Sequence, residues 1–125
     1  INSTWGGNLV DMVRFTIYLE IMEQENLVNN AKQNGNYLLA QLKNIQTDYS
    51  DLVSNARGKG LFCAFDLPTS NHRDELASML MENKVIVLGS GQKSIRFRPH
   101  LNITEDDINI GMDAIKKCLN KLKID

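Results

Sequence analysis

Two short segments of the chain carry residue types suited to holding anions. The first, Asn2-Ser3-Thr4-Trp5-Gly6-Gly7-Asn8, places amides, hydroxyls and glycines just ahead of a helical pattern. Hydroxyls and free backbone N–H groups near a helix start suit a phosphate dianion; a tail ending in a helix cap is the plainer reading of the same residues. The second is Ile95-Arg96-Phe97-Arg98-Pro99. Strand alternation puts Ile95 and Phe97 on one face and Arg96 and Arg98 on the other. A guanidinium fork presented this way suits a carboxylate. A solvated strand face with ordinary ion pairs would use the same pattern.

The remaining candidates are weaker. His72 and His100 lie far apart with no further ligand at metal-binding spacing, so no metal site is expected. His72 follows a loop asparagine and is expected to face solvent; His100 reads as a surface histidine or the lining of a pocket. No Ser-His-Asp or Cys-His arrangement declares itself. Gly58-Lys59-Gly60 precedes a strand rather than a helix, so it reads as a bend, or a close backbone approach, and not as a phosphate loop.

These segments need elements to position them. Asn8, with Asp11 three residues on, opens a helix in which Val10, Val13, Ile17 and Ile21 recur at helical spacing, running to about Gln24. Val28, Ala31, Gly35, Leu38, Leu42 and Ile45 lay a stripe along a second helix, despite the Asn-rich stretch from Asn26 to Asn36. Both helices are expected to pack on something apolar. The pattern then changes: Leu52, Val53 and Ala56 lead to the Gly58-Gly60 bend, and Leu61 to Leu67 reads as a strand. Pro68 ends it, Ser70 or Asn71 can cap, and Asp74 to Asn83 reads as a short helix. Val85 to Leu88 and Ser94 to Arg98 form a hairpin turning at Gly89-Ser90-Gly91. Thr104 and three following acids start a last helix, with Ile108, Met112, Ile115, Leu119 and Leu122 as its core stripe. The sum is one α+β domain over residues 1–125, a small mainly antiparallel sheet with helices layered on one face.

Composition bounds the function. The chain has 125 residues, 42% of them hydrophobic and 23% charged, which is enough for one modest core. Its 14 basic and 15 acidic residues leave a net charge of −1, with no excess to neutralise nucleic acid or an anionic membrane. No apolar run approaches the ~20 residues of a membrane span. Cys63 and Cys118 sit in apolar stretches and read as free buried thiols of a reducing, cytoplasmic compartment. The chain starts at Ile1 rather than Met, which suggests a piece of a longer protein.

Five stretches in register then give the chain a resemblance. They are N-S-T-W-G-G-N from Asn2, D-M-V-R from Asp11, G-K-G-L-F-C-A-F-D-L-P from Gly58, R-D-E-L from Arg73 and S-I-R-F-R-P from Ser94. Together they resemble the C-terminal part of a class III aminotransferase, a pyridoxal 5'-phosphate enzyme of fold type I. The resemblance implies that Thr4, supported by Ser3, contacts the cofactor phosphate in the neighbouring subunit of a homodimer. It implies that Arg96 binds the α-carboxylate of the amino acid and of 2-oxoglutarate, leaving Arg98 a structural role. Within the family it points to members that move the ε-amino group of lysine to 2-oxoglutarate, with 4-aminobutyrate and other ω-amino acid members next.

One departure is large. In such enzymes the Schiff-base lysine, the acid pairing with the pyridine nitrogen and the aromatic stacking on the ring all precede the threonine motif. The nine lysines here all follow Thr4. The chain alone is therefore expected to be inactive, needing a large domain upstream. It is also expected to show an apolar face where that domain packs. A free-standing module that binds an acidic ligand or dimerises, without catalysis, is the reading from a different class.

Overall fold

The computed structural model describes residue 4 and residues 6–122. Its elements run α1 (Leu9–Gln24), α2 (Leu27–Asp48), β1 (Ser54–Lys59), β2 (Phe62–Asp66), α3 (Ser70–Glu82), β3 (Leu88–Ser90), β4 (Ser94–Phe97) and α4 (Glu105–Leu119). This is the expected order. The strands form one antiparallel sheet in the order β1-β2-β4-β3.

Alternation divides the sheet into two faces. Cys63, Phe65, Ile95 and Phe97 point into the core, where they meet Leu38, Leu42 and Ile45 of α2, Leu76 and Leu80 of α3, and Ile108 and Ile115 of α4. The other face carries Arg57, Ala64, Asp66, Ser94 and Arg96. All five residues of the expected α4 stripe are buried, and Thr104 closes a capping box with Asp107. Both cysteines are free and buried, and burial raises the pKa of each thiol.

The Gly58-Lys59-Gly60 bend has a specific cause. Gly60 takes a left-handed φ of 55° in the two-residue turn between β1 and β2, and its backbone crosses α2 at Gly35. A Cβ on Gly35 would stand 2.2 Å from the Gly60 carbonyl carbon. Gly35 therefore belongs to the α2 stripe as a gap rather than a knob.

Four expectations need correction. Helix α1 starts at Asn8 as read, but none of its residues is buried; Val10, Val13, Ile17 and Ile21 are all exposed. Apolar side chains lie all round α1 instead of along one stripe, so no single face can commit to this core. Helix α3 begins earlier, because Thr69 rather than Ser70 or Asn71 is its cap. At its other end Lys84 adopts φ 63°, Lys84 N–H donates to Met81 O, and Val85 N–H donates to Leu80 O. This Schellman closure carries Val85 and Val87 onto the core as a connection, so the strand forms only at Leu88 and the turn shifts to Gly91-Gln92-Lys93. Finally, His72 is buried, because the Thr69 cap folds over it with Thr69 Oγ1 and His72 Nδ1 2.6 Å apart.

Candidate functional site

The two anion-holding segments fall in different surroundings. Thr4 is exposed in a turn ahead of α1. Ser3 lies outside the described residues. The start of α1 is less open to an anion than its sequence suggests: Asn8 Oδ1 accepts from Val10 N–H at 2.9 Å and Asp11 N–H at 3.4 Å. The cap thus satisfies two of the backbone donors that a phosphate would otherwise use. Asp11 does not reach back to the cap; it pairs with Arg14 at 2.9 Å.

Arg96 sits mid-strand in β4, opposite Ala64 on one side and Leu88 on the other. Small and apolar neighbours leave its guanidinium without a partner. Its Nε is buried and makes no hydrogen bond, and no carboxylate among the described residues pairs with it. A buried guanidinium N–H left unmet costs about 1–3 kcal/mol, so an acceptor that reached it would be stabilising. Arg98 lies just past the end of β4, exposed, and helps line an apolar cleft of about 180 Å³ beside Phe97, Ile103 and α4. Neither Thr4 nor Arg96 lines any of the four principal clefts, so the fold does not gather them into one cavity.

Sequence reasoning missed what surrounds Arg96. Asp66 is almost fully buried on the same face, with Arg57 Nη1 2.9 Å and Ser94 Oγ 2.5 Å from Oδ1, and Asn55 Nδ2 2.9 Å from Oδ2. Burial alone would raise this carboxyl's pKa, but the hydrogen bonds from Ser94, Asn55 and Arg57, with the Arg57 charge, hold it below the usual range. The signal was an acid inside the Leu61–Leu67 run: folding the hairpin at Gly60 brings Arg57 across from Ala64, one diagonal from Asp66.

A second missed feature lies in the Asn-rich stretch. Asn30 Nδ2 donates to Leu101 O at 2.7 Å, and Asn34 Nδ2 donates to Ile103 O at 2.7 Å. These amides hold the loop that leaves β4, and so brace the strand that carries Arg96. The histidines play no such part: His72 serves the α3 cap, and exposed His100 meets Asn102 at 2.8 Å. Among the described residues no three His, Cys, Asp or Glu side chains gather to hold a metal. None of the described helices is long and apolar enough to cross a membrane.

Comparison with known proteins shows the family. Residues 1–119 match the family model for class-III aminotransferases. The L-lysine-epsilon aminotransferase of Mycobacterium tuberculosis is 45% identical over 119 residues, covering 95% of this chain and 26% of the relative. The mitochondrial 4-aminobutyrate aminotransferase of Homo sapiens is 35% identical over 124 residues, covering 98% of this chain and 25% of the relative. A solved structure of lysine aminotransferase from M. tuberculosis superposes with a TM-score of 0.93 at 44% identity, over 98% of this chain and 28% of that one. The chain spans about a quarter of the length of these relatives.

Proposed function

The chain belongs to the class III aminotransferases, and from that premise we propose that it is the C-terminal domain of a homodimeric enzyme moving the ε-amino group of L-lysine to 2-oxoglutarate. The lysine assignment is supported by higher identity to relatives of that name than to the 4-aminobutyrate relative. The observation that carries the site assignment is Arg96, a strand guanidinium with a buried, unmet Nε.

In this reading Arg96 takes the α-carboxylate of each substrate in turn. Lysine and 2-oxoglutarate share that group, and a planar fork with parallel N–H donors fixes both its position and its plane. Orientation of this kind converts binding into a correctly aimed reacting end, which is where such clamps contribute to rate. Sheet register and the Asn30–Asn34 braces hold the strand still while the substrates exchange.

The residues present fit one contact to pyridoxal 5'-phosphate rather than a full cradle. The Thr4 hydroxyl is exposed and unencumbered by the helix cap, and we assign it to the cofactor phosphate in the partner subunit, with Ser3 beside it. When bound, the cofactor supplies the electron sink for the chemistry. The lysine that would attach it, and the groups that hold its ring, are assigned to a large domain outside this chain. We therefore infer that the chain alone does not catalyse transamination. Free buried thiols support a reducing, cytoplasmic setting.

The test is to read the coding frame upstream of Ile1, express the complete polypeptide, and assay lysine with 2-oxoglutarate. The expected result is glutamate production by the whole protein and none by the 125-residue chain. Arg96→Ala should raise KM for both substrates by at least tenfold. Unchanged KM values in that variant would remove Arg96 from the substrate site.

A further inference from the structure

The outer sheet face sets one acid between two arginines. Register aligns Arg57, Ala64, Arg96 and Leu88 in one row, and Asp66, Ser94 and Ser90 in the next. Arg57 and Arg96 thus flank Ala64 symmetrically, and each stands one diagonal from Asp66, about 7–8 Å away and within reach of an arginine. Asp66 is the one carboxylate on the four strands. An unmet buried Nε on Arg96 would be relieved by pairing with it, yet the pair does not form.

Asp66 is already held by other partners. Arg57 Nη1 holds Oδ1, and its Nη2 donates to Ser94 Oγ at 3.2 Å. Ser94 belongs to β4, the strand of Arg96, and its hydroxyl takes the same Oδ1. Asn55 holds the remaining oxygen, while its own carbonyl accepts from Arg57 Nη1 at 2.9 Å. Asn55 can do both because it sits in the left-handed region, φ 55°, where β1 departs from regular register. Three partners therefore occupy Asp66 and fix the Arg57 fork.

We propose that Arg57, with Ser94 and Asn55, is a positioning residue for Arg96: by holding Asp66 it keeps an internal carboxylate from occupying the guanidinium meant for substrate. The proposal rests on the reading of Arg96 as the substrate-carboxylate anchor. A guanidinium that could fold onto a resident acid would bind substrate only in the fraction of molecules where it is free. The irregular β1 start and its left-handed asparagine are the device that assigns Asp66 to the other arginine.

The experiment follows the arginine side-chain N–H groups of the chain by nuclear magnetic resonance, with Arg96→Lys used to assign the Arg96 signals. In Arg57→Gln, Asp66 is released, and Arg96 should take it. Its Nε–Hε resonance should shift, and its Nη protons should exchange with water about tenfold more slowly if nine molecules in ten are paired. Adding Asp66→Asn to that variant should return both signals to their original state. Arg57→Lys, which keeps a cation on Asp66, should leave Arg96 free. Ser94→Ala removes one hydroxyl without touching either arginine and should give a smaller shift in the same direction, a check that holds if Arg57→Gln unfolds. Arg96 signals unmoved in both Arg57→Gln and Ser94→Ala would overturn the proposal. Failure of the carboxylate-anchor reading is seen separately, as unchanged substrate KM in Arg96→Ala of the complete enzyme.

Discussion

Gly35→Ala tests the packing that sets the β1–β2 hairpin, and with it the placement of Arg57 and Asp66. Inside a helix, Gly to Ala normally stabilises by about 1 kcal/mol. At Gly35 the new methyl would stand 2.2, 2.4 and 2.6 Å from the carbonyl carbon, oxygen and Cα of Gly60. Carbon atoms rest about 3.5 Å apart, so the hairpin must retreat by roughly 1.3 Å, and the obstacle is backbone with no rotamer to yield. Overpacking costs about 1–3 kcal/mol, and a backbone clash belongs at the upper end, which leaves about 2 kcal/mol of net destabilisation. Gly111 in α4 is the matched control, since nothing lies within 4 Å of its Cβ position. Gly111→Ala should therefore gain the full ~1 kcal/mol. In urea, with a slope near 1–3 kcal/mol/M, the midpoint should fall by about 1 M in Gly35→Ala and rise by about 0.5 M in Gly111→Ala. Cys63, buried beneath the turn with Sγ 3.5 Å from Gly60 O, should become more reactive to a thiol reagent in Gly35→Ala, while Cys118 stays protected. A midpoint that rises in both variants would show that the α2–hairpin contact does not limit the fold, and the reasoning would fail.

Other consequences can be checked in the same chain. Lys84 holds a left-handed φ that costs a side-chain-bearing residue about 1–2 kcal/mol, partly offset by the extra freedom of glycine when unfolded. Lys84→Gly should raise Tm by about 2–4 °C; a fall would mean the closure of α3 carries no strain. Asp66 has a folded pKa below its unfolded value of about 3.9, so its stabilising contribution is complete above that pH and fades as pH falls through the folded pKa. Asp66→Asn should thus lose stability at neutral pH yet show a flatter acid limb; equal slopes for both proteins would discount the network. Asn34→Ala should cost about 1–2 kcal/mol in denaturant titration by removing the buried donor to Ile103 O, and Asn34→Asp should cost more, because it turns an acceptor on an acceptor. Equal stability of the Ala and Asp variants would dismiss the brace.

The readable parts of the sequence are those where a local rule and the tertiary structure agree. In α4 the cap, the acids of the first turn and the apolar period all specify one helix in one orientation. Arg96 was legible because alternation is local: Ile95 and Phe97 go inward, so its side chain goes out. Asp66 was not, because its partner depends on where the hairpin turns and on an irregular step in β1, and neither has a residue pattern of its own. His72 was misread for a related reason: the asparagine before it signals a loop, but the cap at Thr69, three residues ahead of it, folds the ring inward. The Asn-rich stretch counted only against helix propensity, whereas two of its amides reach across about seventy residues of sequence to the loop after β4.

Helix α1 is the instructive case, because its helical character and its burial are separate facts. Asn8 caps it and no glycine or proline interrupts it, so it forms. Yet Leu9, Val10, Val13, Phe15 and Tyr18 are each more than half exposed. At about 25 cal/mol per Å² of apolar surface, such a helix gains stability only when something covers it. Arg96 poses the same problem in electrostatic form, a buried donor with no acceptor among the described residues. Among the described residues, hydrophobic burial and hydrogen bonding thus each stop halfway. Both gaps fall on elements that carry the family's motifs, Asp11 to Arg14 in α1 and Ser94 to Phe97 in β4.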